Sequence, residues 1–150
     1  LKKVIVVYAS MTGNTQDMAE AIAEGLREQC EDVTVKEAFD ANASELLDYD
    51  GILLGAYTWG DGDLPDEFLD FYEEMEGLDL QGKLGAAFGS GDTSYPLYCA
   101  AVDTITVKLR ELGSEVRLDG LKMELSPNSD DKELCRQFGR TFISHLLAMQ

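Results

Sequence analysis

Cations are scarce in this chain: 12 Lys and Arg stand against 29 Asp and Glu in 150 residues, a formal net charge of −17. So negative a surface excludes nucleic acid and anionic membranes as partners, because both are bound by Lys and Arg neutralising phosphates. Cysteine and histidine are also few. Cys30, Cys99 and Cys135 show no Cys-x-x-Cys spacing and His145 is the only histidine, which argues against thiol catalysis and a metal centre. The cysteines read as free thiols of a reducing cytoplasm, and His145 as a surface or helix-end residue. Long apolar runs are missing: none approaches the roughly 20 residues of a membrane helix. Lys2 and Lys3 precede an apolar run as in a signal peptide, but the run is short and polar residues 12–17 follow it. Cytoplasmic residence is therefore expected. No repeat, low-complexity tract or linker interrupts the chain, so residues 1–150 read as one domain with a full core.

What is present begins with a hydroxyl-rich turn that carries no positive charge, Tyr8-Ala9-Ser10-Met11-Thr12-Gly13-Asn14-Thr15. Residues 4–8 are apolar without alternation and rich in β-branched side chains, the pattern of a strand buried on both faces. From Asn14 the period becomes helical, with Met18, Ile22 and Leu26 one turn apart. A strand feeding a helix in this way leaves unpaired N–H groups at the helix start, where the dipole is positive. With the hydroxyls of Ser10, Thr12 and Thr15 they form a nest for a phosphate. Loops that grip a nucleoside triphosphate end in Gly-Lys-Ser/Thr. This one has no lysine and suits a terminal monophosphate. Taken alone, the turn reads equally well as a Ser/Thr helix cap.

Two later loops shift that balance. Tyr57-Thr58-Trp59-Gly60-Asp61-Gly62-Asp63 follows a buried strand at Gly51–Ala56, and Gly89-Ser90-Gly91-Asp92-Thr93-Ser94-Tyr95-Pro96 follows another at 84–88. Each sets an aromatic ring in a Gly- and Asp-rich turn at the carboxyl end of a strand, where open α/β sheets bind ligands. Two rings converging beside a phosphate nest point to a flat ring system held between them.

The three ordered motifs resemble those of the flavodoxins, small carriers of flavin mononucleotide (FMN), and the resemblance covers essentially the whole chain. It implies that Ser10, Met11, Thr12, Gly13, Asn14 and Thr15 hold the phosphate. Thr58, Trp59, Gly60 and Asp61 would line one face of the flavin, and Ser90, Gly91, Asp92 and Tyr95 the other. Cys99 is expected near the ring, as a soft packing group two positions into the next helix. Residues 115–118 read as the last strand and pass directly to Asp119-Gly120-Leu121, as in the short-chain branch of the family. In the family, a carbonyl of the Trp-Gly-Asp turn rotates to accept the proton a ring nitrogen gains with the first electron. Here it would be the carbonyl of Gly60, whose backbone turns at little steric cost. The acid-rich Gly60-Asp61-Gly62-Asp63 turn departs from the family pattern in a way that would alter potential or partner choice.

The element pattern agrees. A second strand is expected at 33–36, and Pro65 with Asp66 and Glu67 opens a third helix with the stripe Phe68, Phe71, Tyr72 and Met75. Val102, Ile105, Leu109 and Leu112 mark a fourth, stopped by Gly113. Asp130 and Glu133 have capping-box spacing ahead of Leu134, Phe138, Phe142 and Leu146, in a closing helix from Asp131. This alternation predicts an α/β three-layer sandwich, a parallel sheet with helices on both faces. Five strands in the order 2-1-3-4-5 are what the resemblance implies.

Carboxylates gather around the proposed ring at Asp61, Asp63, Asp66, Glu67, Asp70 and Asp92. They suit the steering of basic redox partners, a reductase and an acceptor. A carboxylate about 10 Å away, at an effective dielectric of about 40, opposes an added ring charge by roughly 0.8 kcal/mol. That is about 35 mV for one electron. With no Lys or Arg in the ring loops, the second reduction step should lie well negative. Two other functions compete. A flavin enzyme of the quinone or azo reductase type needs an open ring face and a nicotinamide site, which stacking by Trp59 and Tyr95 would block. A phosphorylated receiver domain needs paired carboxylates after the first strand, where Ser10-Met11-Thr12 stands. The expectation is a monomeric, non-enzymatic single-electron carrier with non-covalent FMN and no metal.

Overall fold

The computed structural model describes residues 2–10, 13–58, 64–91, 98–124 and 127–149. Among them strands and helices alternate as β1 (Val4–Ala9), α1 (Asn14–Arg27), β2 (Val33–Glu37), β3 (Gly51–Ala56), α2 (Asp66–Glu74), β4 (Leu84–Gly91), α3 (Ala100–Glu111), β5 (Leu121–Glu124) and α4 (Ser129–Ala148). The strands form one parallel sheet in the order β2-β1-β3-β4-β5. Ala9 lies opposite Ala56 and Gly55 opposite Phe88, so the carboxyl ends of β1, β3 and β4 open on one edge.

Burial explains the three layers. Val4, Val6 and Tyr8 meet Met18, Ile22 and Leu26 of α1 and Phe142, Ile143 and Leu146 of α4. Ile5, Val7 and Ala9 meet Phe68 and Phe71 of α2 and Val102, Ile105 and Leu109 of α3. A strand with apolar side chains on both faces requires a helix layer on each side, and each large side chain so buried contributes about 1.5–3 kcal/mol. On the first face, α1 and α4 touch backbone to backbone. A Cβ on Gly139 would come within 2.3 Å of the Ile22 carbonyl oxygen, and one on Gly25 within 2.0 Å of that of Arg136.

Several sequence expectations shift. β4 extends through Ser90 and Gly91, residues that read as loop. The last strand is Leu121–Glu124 and not 115–118; of the latter, Glu115 alone makes a bridge, to Leu84. The chain leaves the sheet after that bridge and passes α3 at Gly120, where a Cβ would meet Val102 at 2.4 Å. Between β2 and β3, where strict alternation calls for a helix, two short 3₁₀ segments stand at Ala38–Asp40 and Ala43–Asp48. Their buried anchors are Ala38, Ala43 and Leu46, too few for a continuous helical stripe. α4 starts at Ser129, capped by Asn128 and Asp131 in place of Asp130 and Glu133. Asn128 Oδ1 accepts from the Asp131 N–H at 2.8 Å, and Asp131 Oδ2 from the Asn128 N–H at 3.1 Å. The stripe turns with it: Cys135, Gly139, Phe142, Ile143 and Leu146 are buried while Leu134 is exposed and Phe138 half-buried. Close approach to α1 fixes this rotation, since only the glycine edge of α4 fits there.

Candidate functional site

The site is built on the carboxyl edge, where β1 hands the chain to α1. Gly13 caps α1 with φ 90° and ψ −7°, a left-handed conformation, and has no side chain with which to cap the first turn. The Ser10 hydroxyl accepts the Gly13 N–H at 2.9 Å, which pins the turn. Among the described residues, its chain neighbours aside, no heavy atom lies within 4 Å of where a Gly13 Cβ would stand. Glycine is required by conformation there, not by crowding. Uncapped N–H groups at a dipole's positive end bind an anion readily. Ser10, Gly13 and Asn14 are half-buried, at the surface.

Thr15 is fully buried, and its Oγ1 meets Ser90 Oγ at 2.9 Å. Ser90, expected on the ring side, thus turns its hydroxyl toward α1. Its carbonyl accepts the Thr58 N–H at 3.3 Å. Thr58 Oγ1 in turn accepts the Ala101 N–H of α3 at 3.1 Å. One chain of contacts therefore ties the starts of two helices to the ends of β3 and β4. Gly91 is held close to the α3 cap, where a Cβ would come within 2.7 Å of Cys99 Sγ. Cys99 is that cap and not an interior helix position. It has φ 51°, is fully buried, and its thiol faces the carbonyls of Gly89 and Met123 at 3.8 and 3.7 Å. Burial pushes its pKa up, as it does for Cys135, which rises to about 12. These are packing groups. Met11, Thr12, Trp59, Gly60, Asp61, Asp63, Asp92 and Tyr95 lie outside the described residues.

One contact had no sequence signal beyond its loop position. The Tyr57 hydroxyl donates to Glu67 Oε2 at 2.7 Å, joining the β3 loop to α2. Burial first, and then this carboxylate, raise the Tyr57 pKa, so the phenol stays protonated. Glu37, Asp40, Asp66, Glu67 and Asp70 form no ion pair with a described Lys or Arg. The cations are engaged elsewhere, for example Lys36 with Glu45, Lys108 with Glu76 and Arg140 with Glu28 and Glu133. The edge is thus rich in carboxylates with no ion pair to a described cation, around the positive end of the α1 dipole. A cleft of about 960 Å³ at the opposite edge, lined in part by Glu31, Asp32 and Asp50, lies near the ends of α1 and α4. Its three carboxylates outnumber its one cation, Lys2, and the negative helix ends oppose a phosphate further. Among the described residues no group of three His, Cys, Asp or Glu could hold a metal, and no helix is long and apolar enough to cross a membrane.

Comparison with known proteins matches residues 6–139 to the flavodoxin family model. The chain is 48% identical over 143 residues to probable flavodoxin 2 of Bacillus subtilis, covering 95% of each. It is 39% identical over 134 residues to a flavodoxin of Maridesulfovibrio salexigens, covering 87% of this chain and 92% of that one. Among solved structures, oxidised flavodoxin 1 from Bacillus cereus superposes with a TM-score of 0.92 at 52% identity, over 95% of this chain and 98% of that chain.

Proposed function

Since the chain belongs to the short-chain branch of the flavodoxin family, we propose that it carries single electrons on a non-covalently bound FMN. The observation that carries this reading is the left-handed Gly13 at the start of α1, with Ser10 holding the turn. That start fits a phosphate monoester, and it lies at the carboxyl end of β1 beside β3. The strand order reverses at this point, where open sheets bind ligands, the flavodoxin fold being itself a known instance of the rule. Ser10, Thr12, Asn14 and Thr15 would hold the phosphate, and Trp59 and Tyr95 would cover the two ring faces. Once bound, FMN supplies the redox chemistry, taking up and releasing electrons one at a time.

The chain's own part is to orient the ring and to surround it with negative charge. Glu37, Asp40, Asp66, Glu67 and Asp70 support docking of basic redox proteins, a reductase and an acceptor, to a monomeric carrier in the cytoplasm. The same charge disfavours nucleic acid and anionic membranes.

An absorption spectrum of the purified protein tests the cofactor, and flavin titration of the apo-protein tests the site. The protein should be yellow, and FMN should bind more tightly than riboflavin. Trp59→Ala and Tyr95→Ala should each weaken both flavins by roughly 1–3 kcal/mol, the scale of a lost aromatic stack. A colourless protein that quenches no flavin fluorescence would overturn the reading.

A further inference from the structure

Thr15 lies in the first turn of α1 and Ser90 near the end of β4, and their hydroxyl oxygens stand 2.9 Å apart. The two residues are 1% and 4% exposed. Each hydroxyl carries one proton and can also accept. Whichever way the contact runs, it uses one proton of two. The other has no acceptor among the described residues. A buried O–H needs an acceptor, and a phosphate at the start of α1 would supply one. Thr15 is the member in the first turn of α1, at the positive end of the helix dipole. Ser90 is held in place from the other side, through its carbonyl and the Thr58 N–H.

We propose that Ser90 is a positioning residue for the phosphate: it donates its proton to Thr15 Oγ1 and thereby commits the Thr15 O–H to the anion. The inference rests on the reading of residues 10–15 as a phosphate loop, and it moves Ser90 from the ring half of the site to the phosphate half. Polarity is what matters. If Thr15 donated to Ser90, it would offer the phosphate only lone pairs, which repel it. A hydroxyl that accepts one hydrogen bond also donates a stronger one.

The test titrates the full chain, freed of flavin, with FMN, riboflavin and inorganic phosphate. Ser90→Ala should weaken FMN and inorganic phosphate about three- to tenfold, the scale of a modest hydrogen bond, and leave riboflavin unchanged. Thr15→Val, which keeps the shape without the hydroxyl, should weaken FMN and inorganic phosphate more. Ser90→Ala added to Thr15→Val should then cost nothing further. Ser90→Cys, a poorer donor of similar shape, should fall between wild type and Ser90→Ala. Equal losses for FMN and riboflavin in Ser90→Ala would make Ser90 a ring contact and overturn the proposal. So would unchanged affinities, or an effect that survives undiminished in the Thr15→Val background. If Thr15→Val and Thr12→Ala both leave the ratio of FMN to riboflavin affinity untouched, the phosphate-loop reading itself fails, and the role of Ser90 with it.

Discussion

Single residues at the carboxyl edge act through backbone conformation and through which hydrogen bonds they complete. A Cβ in the left-handed region costs about 1–2 kcal/mol, with Asn better tolerated. Gly13→Ala should therefore lower unfolding free energy in urea by that amount, and Gly13→Asn by less, because the surrounding space is open. Thr58 stands in for the missing side-chain cap of α3 by accepting from the Ala101 N–H. Thr58→Val should cost about 0.5–2 kcal/mol, the range for a lost cap, and Thr58→Ser should restore most of it. The thiols behave as core. Burial raises Cys99 and Cys135 above the ordinary thiol value of 9.0, the latter to about 12. Folding therefore favours their protonated forms. The stability tied to them is complete below pH 9.0 and declines as pH rises toward the folded-state value. Native protein at pH 8 should leave both thiols unmodified by a disulfide reagent, while the same reagent in urea should titrate them fully.

At the level of elements, α1 carries the proposed phosphate loop, and its place is set by α4. Helices that touch at Gly25 and Gly139 leave no room for a methyl group, because the obstacle in each case is a backbone carbonyl. Gly139→Ala and Gly25→Ala should each destabilise by about 1–3 kcal/mol or more through overpacking, measured by urea unfolding. FMN affinity should fall with them, because α1 must shift. Asn128→Ala removes one half of the α4 capping box, at about 0.5–2 kcal/mol. That loss should leave the ratio of FMN to riboflavin affinity unchanged, since the cap is distant in sequence and role from the loop.

Across the whole molecule the dominant quantity is the net charge of −17. Self-repulsion of this size destabilises a compact state, and salt screens it over a Debye length of about 8 Å at physiological ionic strength. The urea midpoint at pH 7 should therefore rise from low salt to about 0.5 M NaCl, where the screening length falls well below the roughly 10 Å of 0.1 M salt. Reduction of a basic acceptor protein should slow over the same range. Opposite salt responses of stability and of electron-transfer rate would distinguish intramolecular repulsion from partner steering.

Much of this was legible along the chain. The buried runs at β1, β3 and β4, the helical stripes of α1 to α3, the Gly113 stop and the hydroxyl loop are written in relations between residues no more than a turn apart, which local sterics and hydrogen bonding decide. Gly113 does adopt φ 96° and closes α3 as expected. The parts that were not legible depend on sheet register and layer packing. The Thr15–Ser90 contact spans 75 residues and the Thr58–Ala101 contact 43, and neither has a local pattern. The same holds for the rotation of α4 onto Cys135 and Ile143, forced by the backbone of α1, and for the delayed β5. Sequence alone determined which loops carry the hydroxyls, rings and acids, because turn chemistry and periodicity are local. The tertiary structure alone decided which way Ser90 faces and what caps α3, because those hydrogen bonds exist only once parallel strands bring distant loops to one edge.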